Sequence, residues 1–306
     1  MELALMIEGQ DGLNWTRWQR LAQAAEDLGF VGLYRSDHYT NPQPPDKDSL
    51  ELWVSLTWLA DHTKRIEFGP LVSPVSFRDP TMTARMAAAV DDLSGGRLTL
   101  GVGAGWQVRE HSNYGWDLLD VAGRFKRFED GLQVITKLLR SDTPSDFAGR
   151  YYYLNEGILL PRPQRPGGPP ILIGGNGLLR TLPMVAKYGD EWNGVYLTPE
   201  RFKERNTRLD ELLQKNGRNP QDVRRSMMVN LIFGRDDAAM AAKLNGRDIS
   251  EMRQQGRIAG TPSAVVDQIG ALAEVGAQRL MLQWLDQDDL DGLEGVAQTV
   301  LPQIGA

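Results

Sequence analysis

Short apolar runs alternate along the chain with longer segments in which apolar residues recur with the period of an α-helix. Eight such runs occur, at residues 2–7, 31–36, 66–72, 97–103, 170–175, 191–196, 225–234 and 279–284. Near-continuous apolar strands that alternate with amphipathic helices predict a parallel sheet covered by helices. Eight units favour an α/β fold of the (β/α)8 TIM-barrel type. The alternative is a doubly wound open sheet, but its glycine fingerprint is missing after the first run.

Helix boundaries can be predicted from capping residues. Asn14 is placed to cap a helix whose apolar stripe runs from Trp15 to Leu28 and whose end is marked by Gly29. Asp79-Pro80 opens a helix after the third run. Phe125 to Leu139 carries the stripe of the helix after the fourth run.

Two connections are longer than one helix needs. We expect residues 1–306 to form one barrel domain with insertions around 140–169 and 235–260, in loops near the active-site end. The first insertion is rich in Pro, Gly and Tyr, and its YYYLN segment predicts a short strand. The second is polar and has only a weak helical period.

Composition narrows the classes of partner and chemistry. The formal net charge of −6 argues against nucleic acid or an anionic membrane surface as a partner. The absence of cysteine excludes disulfides, thiolate nucleophiles and zinc–thiolate sites, so that redox chemistry requires a bound cofactor. No apolar run approaches the roughly 18–20 residues of a membrane span, and no basic, apolar leader opens the chain. We therefore expect a cytoplasmic protein.

Polar or glycine-rich segments follow several predicted strands. These are Ser36-Asp37-His38, Gly103-Ala104-Gly105-Trp106 and Gly174-Gly175-Asn176-Gly177. In a barrel of this type the carboxyl ends of the strands meet at the active site. His38 is a candidate general acid or base that Ser36 or Asp37 could orient, or else a histidine that caps a loop. The glycines of residues 174–177 could admit a phosphate at a helix start or only permit a tight turn.

Other catalytic motifs are missing. The chain has no His-x-His pair and no HExxH, so we expect no catalytic metal. It also has neither a G-x-S-x-G elbow nor a phosphate-binding GxxxxGK[ST] loop.

Several spaced motifs together resemble the luciferase-like monooxygenase superfamily, most of all its branch that uses the 5-deazaflavin coenzyme F420. They are AAEDLGFVGLYRSDH, then RIEFGPLVSPVSFRDPTMTARMAAAVDDLSGGRLTLGVGAGW, then PRPQRPGGPPILIGGNG followed by AKYGDEWN. The resemblance runs from residue 2 to about 197, and TPSAVVDQI fits further on. It implies a barrel that binds a flavin or deazaflavin in its mouth, and a homodimer.

The resemblance also implies roles for individual residues. His38 is the expected proton donor or acceptor, and a non-prolyl cis peptide is expected at Leu71–Val72, behind the ring. The expected cofactor-binding residues are Asp37, Leu71, Val72, Ala104, Gly105, Arg109, Gly174, Gly175, Asn176 and Gly177. A local cationic cluster for the anionic coenzyme is expected among Arg35, Arg78, Arg109 and Arg180.

The substrate side shows one departure from the family. Sugar-phosphate dehydrogenases of this family carry a glutamate where this chain has Trp106, which argues against sugar-phosphate oxidation and favours an apolar wall. The residues expected to face a small-molecule substrate are Glu8, Trp106, Glu110, His111 and Trp284.

Three functions remain open. The first is hydride transfer between F420 and a small organic substrate. The second is an FMN-dependent monooxygenase that works with a partner reductase, and the third is a protein that binds flavin or deazaflavin without turnover. The first two share the barrel and differ in the cofactor that they bind.

Overall fold

The computed structural model describes residues 1–304 and shows a barrel of parallel strands surrounded by helices. Its strands are β1 (Glu2–Ile7), β2 (Gly32–Arg35), β3 (Glu67–Pro70), β4 (Ser73–Pro74), β5 (Leu100–Gly103), β6 (Ser145–Ala148), β7 (Tyr153–Gly157), β8 (Ile171–Gly174), β9 (Glu191–Val195), β10 (Arg224–Phe233), β11 (Ile258–Gly260) and β12 (Arg279–Gln283).

The helices follow the strands in the order that the sequence predicts. They are α1 (Trp15–Asp27), α2 (Leu52–His62), α3 (Pro80–Leu93), α4 (Val108–Tyr114), α5 (Val121–Arg140), α6 (Thr181–Tyr188), α7 (Pro199–Lys215), α8 (Asp237–Leu244), α9 (Ile249–Gln254), α10 (Pro262–Glu274), α11 (Leu290–Thr299) and α12 (Leu301–Ile304), with a 3-10 turn at Pro220–Asp222. None of the helices in residues 1–304 combines the length and apolarity needed to cross a membrane.

The barrel wall has the strand order β3-β2-β1-β12-β10-β9-β8-β5-β4, and every neighbouring pair is parallel. It closes where β3 meets the segment before β5, because the Thr99 N–H donates to the Phe68 carbonyl (2.8 Å). Two glycines permit this approach. A Cβ at Gly69 would lie 1.9 Å from Thr99 O, and one at Gly101 would lie 2.0 Å from Pro70 O, so larger residues would push the strands apart.

All eight predicted apolar runs contain strands of this wall, and the predicted barrel is confirmed. The third run is interrupted: β3 ends at Pro70, the Leu71–Val72 peptide is cis as expected, and β4 then resumes the direction of the wall. Asn14 caps α1 through its side chain, and Asp79 caps α3 with Pro80 in the first turn, both as predicted. The helix-facing side of the wall packs with the surrounding helices in one large apolar core. The barrel contains a separate, smaller apolar cluster of Ala4, Met6, Tyr34, Leu71, Leu172 and Met281.

The two long connections contain more regular structure than expected. The YYYLN segment does contribute a strand, β7, which pairs antiparallel with β6 in a hairpin that packs along α5. Residues 235–260 form α8, α9 and β11, and β11 adds to the sheet beside β10. The sequence analysis missed β11 because three residues, Ile258–Gly260, are too few to show a period.

Candidate active site

A cavity of about 580 Å³ opens at the carboxyl ends of the barrel strands, and we call it the mouth cavity. Part of its lining is apolar and includes Leu71, Val72 and Pro74 from the β3–β4 segment, together with Val195 and Met228. The remaining lining residues are Met6, Glu8, Ser36, His38, Gly103, Ala104, Gly105, Trp106, Arg124, Phe125, Phe128, Gly174, Gly175, Thr181, Asn193, Tyr196 and Gln283. The volume lies within the range of roughly 300–1,000 Å³ found for cofactor and small-molecule sites.

His38 reaches the cavity from the segment after β2 and is held by a buried carboxylate. Its Nδ1 donates to Glu110 Oε1 (2.9 Å) and Oε2 (3.1 Å), and the Tyr39 N–H donates to the same carboxylate (3.2 Å). Glu110 lies on α4 with its side chain 1% exposed. Because a carboxylate only accepts, Nδ1 carries the proton, and Nε2 is the acceptor of the neutral ring.

The surroundings of His38 favour its protonated form. Burial lowers the pKa of an imidazole, but the hydrogen bond and charge of Glu110, with further contributions from Glu8 and Asp37, outweigh burial, so that the pKa of His38 lies above its ordinary value. The Trp106 ring packs edge-on against the imidazole, with 5.6 Å between ring centroids. A histidine that is oriented by an acid and aimed into a cavity can donate or accept a proton near neutral pH.

The end of the cavity near α5 and α6 favours an anionic group. Arg124 of α5 lines it, and Thr181 opens α6, whose amino end carries positive partial charge. Within residues 1–304 the Arg124 guanidinium donates to Leu119 O (3.2 Å) and Gly105 O (3.4 Å) and has no carboxylate within 4.0 Å. Gly175 lies beside Thr181 with a φ of 124°, a conformation that favours glycine.

Polar side chains near β1 and β12 form a second group in the cavity. The carboxylate of Glu8 accepts from the side-chain amides of Gln283 and Gln10, and the Tyr196 hydroxyl donates to Gln283 Oε1. Burial, followed by the nearby charge of Glu8, raises the pKa of Tyr196 to about 12, so this phenol stays protonated and remains a donor.

The structure brings most of the predicted site residues to this cavity. His38, Leu71, Val72, Ala104, Gly105, Gly174 and Gly175 line it, as do Glu8 and Trp106 from the expected substrate side. Glu110 is close by but faces His38 and not the open space. Six other predicted residues lie elsewhere and are Asp37, Arg109, His111, Asn176, Gly177 and Trp284.

Asp37 and Trp284 point away from the cavity because neighbouring side chains on extended backbone face opposite sides. Ser36 and His38 face inward, whereas Asp37 accepts from Ser73 Oγ (2.7 Å) and is paired with Arg78. Trp284 is buried under Lys243, with 5.2 Å between Nζ and the ring centroid. Its neighbour Gln283 takes the place in the cavity that we expected for Trp284.

His111 and Arg109 are held by other parts of the chain. His111 is buried, with Nδ1 donating to Gln107 O (2.7 Å) and Nε2 bonded to Ser76 Oγ (2.8 Å). Arg109 forms a two-pronged ion pair with Asp46, at 2.6 Å for both contacts, outside the cavity. The expected roles of these two residues at the substrate and cofactor are therefore not supported by their positions.

The glycine-rich turn after β8 enters the cavity only through its first half. The Asn176 side chain bonds both the N–H and the carbonyl of Val195, so it locks the β8 turn to β9. Gly177 is absent from the lining, and a Cβ there would meet Thr181 Oγ1 at 2.9 Å. The turn is thus partly structural, which was the alternative left open from the sequence.

The expected arginine cluster does not form. Arg35 is buried and bonds Leu50 O (2.5 Å) and Ser55 Oγ (2.7 Å), so it joins β2 to α2. Arg78 pairs with Asp37 and Glu51, and Arg180 donates to Val121 O (3.2 Å). The cation that does line the cavity is Arg124, which the sequence analysis missed because it lies inside a helix and outside the strand ends.

Tyr196 and Gln283 were also missed as residues of the mouth cavity, although their positions in the sequence could have identified both. Each follows or ends a predicted strand, which is the rule that identified His38. Among residues 1–304, no group of three or more His, Cys, Asp or Glu side chains is arranged to hold a metal ion.

The chain is similar to known proteins over nearly its whole length. A family model described as luciferase-like monooxygenase matches residues 4–301. An F420-dependent glucose-6-phosphate dehydrogenase of Amycolatopsis mediterranei (strain U-32) is 31% identical over 227 residues, a match that spans 70% of this chain and 64% of that protein. The match therefore covers less than two thirds of this curated relative.

Solved structures share the fold at lower identity. An F420-dependent secondary alcohol dehydrogenase in complex with an F420–acetone adduct superposes with a TM-score of 0.86, at 19% identity and with 99% of this chain and 98% of that chain covered. The oxygenating constituent of 3,6-diketocamphane monooxygenase from Pseudomonas putida, in complex with FMN, gives a TM-score of 0.76 at 16% identity, with 99% and 98% covered. Proteins with either cofactor thus have this barrel.

Proposed function

The chain belongs to the luciferase-like monooxygenase family, and we propose that it is an F420-dependent oxidoreductase that transfers a hydride between this coenzyme and a small organic substrate. The observation that carries the proposal is the His38–Glu110 pair on the wall of a cavity that has an apolar side and a cationic end. The F420-dependent relative at 31% identity supports the choice of coenzyme.

The residues of the mouth cavity fit a deazaflavin or a flavin. Leu71, Val72 and Pro74 form an apolar wall suited to a flat ring. Glycine keeps that wall open, because a Cβ at Gly103 would meet Val72 Cγ2 at 2.7 Å. Arg124 and the amino end of α6 would hold an anionic group of the coenzyme. Once bound, F420 supplies two-electron hydride chemistry, whereas FMN permits oxygen activation.

The chain's own contribution is orientation and proton handling. Glu110 fixes the imidazole of His38 with Nδ1 protonated, so that Nε2 exchanges a proton with the substrate oxygen or nitrogen. The carboxylate of Glu110 also stabilises the imidazolium that forms when Nε2 takes up a proton. Trp106, which packs against the imidazole, and the apolar wall border the space in which the reacting atoms would lie.

Parallel equilibrium titrations of the protein with F420 and with FMN, followed by tryptophan quenching, test the proposal. We expect micromolar binding of F420 and binding of FMN weaker by at least about tenfold. The reverse preference would favour an FMN-dependent monooxygenase with a partner reductase. Tight F420 binding without turnover against any acceptor would favour a non-catalytic binding protein, and binding of neither cofactor would contradict the proposal.

A further inference from the structure

Glu8 lies between two cavities. It lines the mouth cavity and also a smaller adjoining cavity of about 280 Å³, and the two share Glu8, His38 and Trp106 in their walls. The smaller cavity is completed by Gln10, Asp11, Asn41, Pro42 and Leu285. A molecule that reacts beside His38 therefore has room to extend past Glu8 into the smaller cavity.

The hydrogen bonds around Glu8 all run toward its carboxylate. On one side the Gly9 backbone N–H, which can only donate, bonds Ser36 Oγ (2.8 Å), and this hydroxyl donates to Gln10 Oε1 (2.7 Å). The oxygen of Gln10 is thereby fixed, so its amide nitrogen donates to Glu8 Oε2 (2.9 Å). The backbone N–H of Gly9 therefore sets the direction of this series of hydrogen bonds, and the series must end at an acceptor, which is the Glu8 carboxylate.

The second side repeats this arrangement. The Tyr196 hydroxyl donates to Gln283 Oε1, which turns the amide nitrogen of Gln283 toward Glu8 Oε1. Two oriented amides therefore hold the carboxylate in place without neutralising it. Each carboxylate oxygen can accept more than one hydrogen bond, so acceptor capacity remains for a bound molecule.

Glu8 also lacks a lysine or arginine partner in the described part of the chain. Within residues 1–304, no lysine or arginine nitrogen lies within 4.0 Å of Glu8, whereas Asp11, the other carboxylate of the smaller cavity, is paired with Lys47. Arg124 belongs to the opposite end of the mouth cavity. An anion placed beside Glu8 would therefore meet a negative charge that no lysine or arginine pairs.

Two large apolar side chains are accessible among the polar residues of the smaller cavity. The Trp106 side chain is 59% exposed and Leu285 is 48% exposed, which is unusual for residues of this size. Both line the smaller cavity. An aromatic face beside a carboxylate is a suitable environment for an ammonium group or for an apolar body that carries a hydroxyl.

We infer that Glu8 is a specificity-determining residue: it accepts a hydrogen bond from a hydroxyl, amine or ammonium group of a neutral or cationic substrate whose apolar part lies against Trp106. Anionic substrates such as phosphate esters are disfavoured at this position. The inference rests on the proposed function, because it places the reacting carbon beside His38, and it differs from the sugar phosphate named for the curated relative.

Three probes with one aromatic body test this inference. Benzyl alcohol, benzylammonium and benzoate differ in donor capacity and charge, and each is titrated into the F420-loaded protein and the ligand-free protein by calorimetry. The variants are Glu8→Gln and, as a matched control, Asp11→Asn, whose carboxylate Lys47 already neutralises in the parent. Melting temperatures and F420 affinity show whether each variant is folded.

We expect the parent to bind benzyl alcohol and benzylammonium at least about tenfold more tightly than benzoate. In Glu8→Gln the preference for benzylammonium over benzoate should fall by about tenfold, and in Asp11→Asn by less than about twofold. Equal binding of the three probes by the parent, or no binding of any at about 10 mM, would overturn the inference. So would an unchanged preference in a folded Glu8→Gln variant.

The order in which the parent protein binds the three probes tests the inference even if Glu8→Gln fails to fold. Failure of the inference and failure of the proposed function are also distinguishable. If the parent binds F420 normally but does not discriminate among the three probes, only the role of Glu8 is contradicted. If the parent does not bind F420, the proposed function is contradicted. The order of probe affinities can still be measured on the ligand-free protein.

Discussion

The two ends of the barrel both contain cavities that are lined in part by charged residues, yet these charged groups are used differently. At the amino ends of the strands a cavity of about 430 Å³, which we call the base cavity, is lined by Glu67, Arg97, Arg165, Glu191 and Arg224, among others. Arg97 there donates to the carbonyls of Ala60 (2.7 Å), Thr63 (2.8 Å) and Ile66 (2.9 Å). Arg97 is thus held by partners within the chain, whereas Oε1 of buried Glu191 has no hydrogen-bond partner among the described residues.

Arg279 shows the pairing of charges at the base most clearly. It is 1% exposed and donates to the Tyr34 hydroxyl (2.8 Å), to Glu67 (2.7 Å) and to Glu2 (2.7 Å), which joins β12 to β1, β2 and β3. In the mouth cavity, His38, Glu8 and Arg124 instead line open space. The paired charges around Arg279 at the base stabilise the barrel. The charged groups of the mouth cavity are oriented but only partly paired, so they are available for ligands.

The largest effect on stability is expected at the base. Arg279→Ala should lower the free energy of unfolding by about 3 kcal/mol, because it leaves buried Glu191 and the Tyr34 hydroxyl without their cationic neighbour. Urea denaturation measures this loss. Affinity for F420 should change less than about twofold, since the site lies at the other end. A variant as stable as the parent would contradict the structural role of the base.

The largest effect on turnover is expected in the mouth. His38→Ala should lower turnover by about 10²-fold, or about 2.7 kcal/mol of activation free energy, because no other group takes over the proton transfer. F420 affinity should stay within about threefold. The measurement is F420 absorbance under steady-state conditions, with His62→Ala, an exposed histidine of α2, as the control. Equal turnover in variant and parent would remove His38 from the mechanism.

A smaller effect is expected from the cationic end of the mouth. Arg124→Met should weaken F420 binding by about tenfold, since it removes a charge that faces the cavity. Arg109→Met is the matched control, because Arg109 is paired with Asp46 outside the cavity, and its effect should be less than about twofold. The opposite ranking in fluorescence titrations would restore the role expected for Arg109 from the sequence.

The smallest effect is a shift in protonation. Glu110→Gln should lower the pKa of His38, because it removes the carboxylate charge but keeps an acceptor for Nδ1. The imidazole C–H resonances in an NMR titration report this change, and an unchanged or raised pKa would contradict the pairing.

The same pair makes stability depend on pH. Since the folded-state pKa of His38 is raised, its protonation stabilises the fold below the unfolded pKa, and this contribution is lost as pH rises through the folded pKa. The loss of stability in Glu110→Gln should therefore be larger at about pH 5 than at about pH 9.

Much of the barrel could be predicted because its signals are local. The apolar runs are long enough to identify strands, and capping residues such as Asn14 and Asp79 mark helix starts. The β11 strand could not be predicted in this way, because its short run becomes a strand only by pairing with β10.

The site was predicted in part, because a motif identifies a residue but not the direction of its side chain. His38 was identified from its place after a strand, whereas its partner was expected to be Asp37 or Ser36 and is Glu110, 72 positions further along the chain. Such a pairing depends on how α4 packs over the β2 end. Arg124 likewise enters the site through the packing of α5, which no local pattern reveals.

The most direct test compares matched insertions at the two ends. Ala104→Trp places an indole in the mouth cavity, and Gln221→Trp places one in the base cavity. Both variants should melt near the parent's temperature. Titration with F420 should show affinity lower by at least about 10²-fold for Ala104→Trp and within about twofold of the parent for Gln221→Trp. Unchanged binding by a folded Ala104→Trp variant, or a loss confined to Gln221→Trp, would contradict the mouth cavity as the cofactor site.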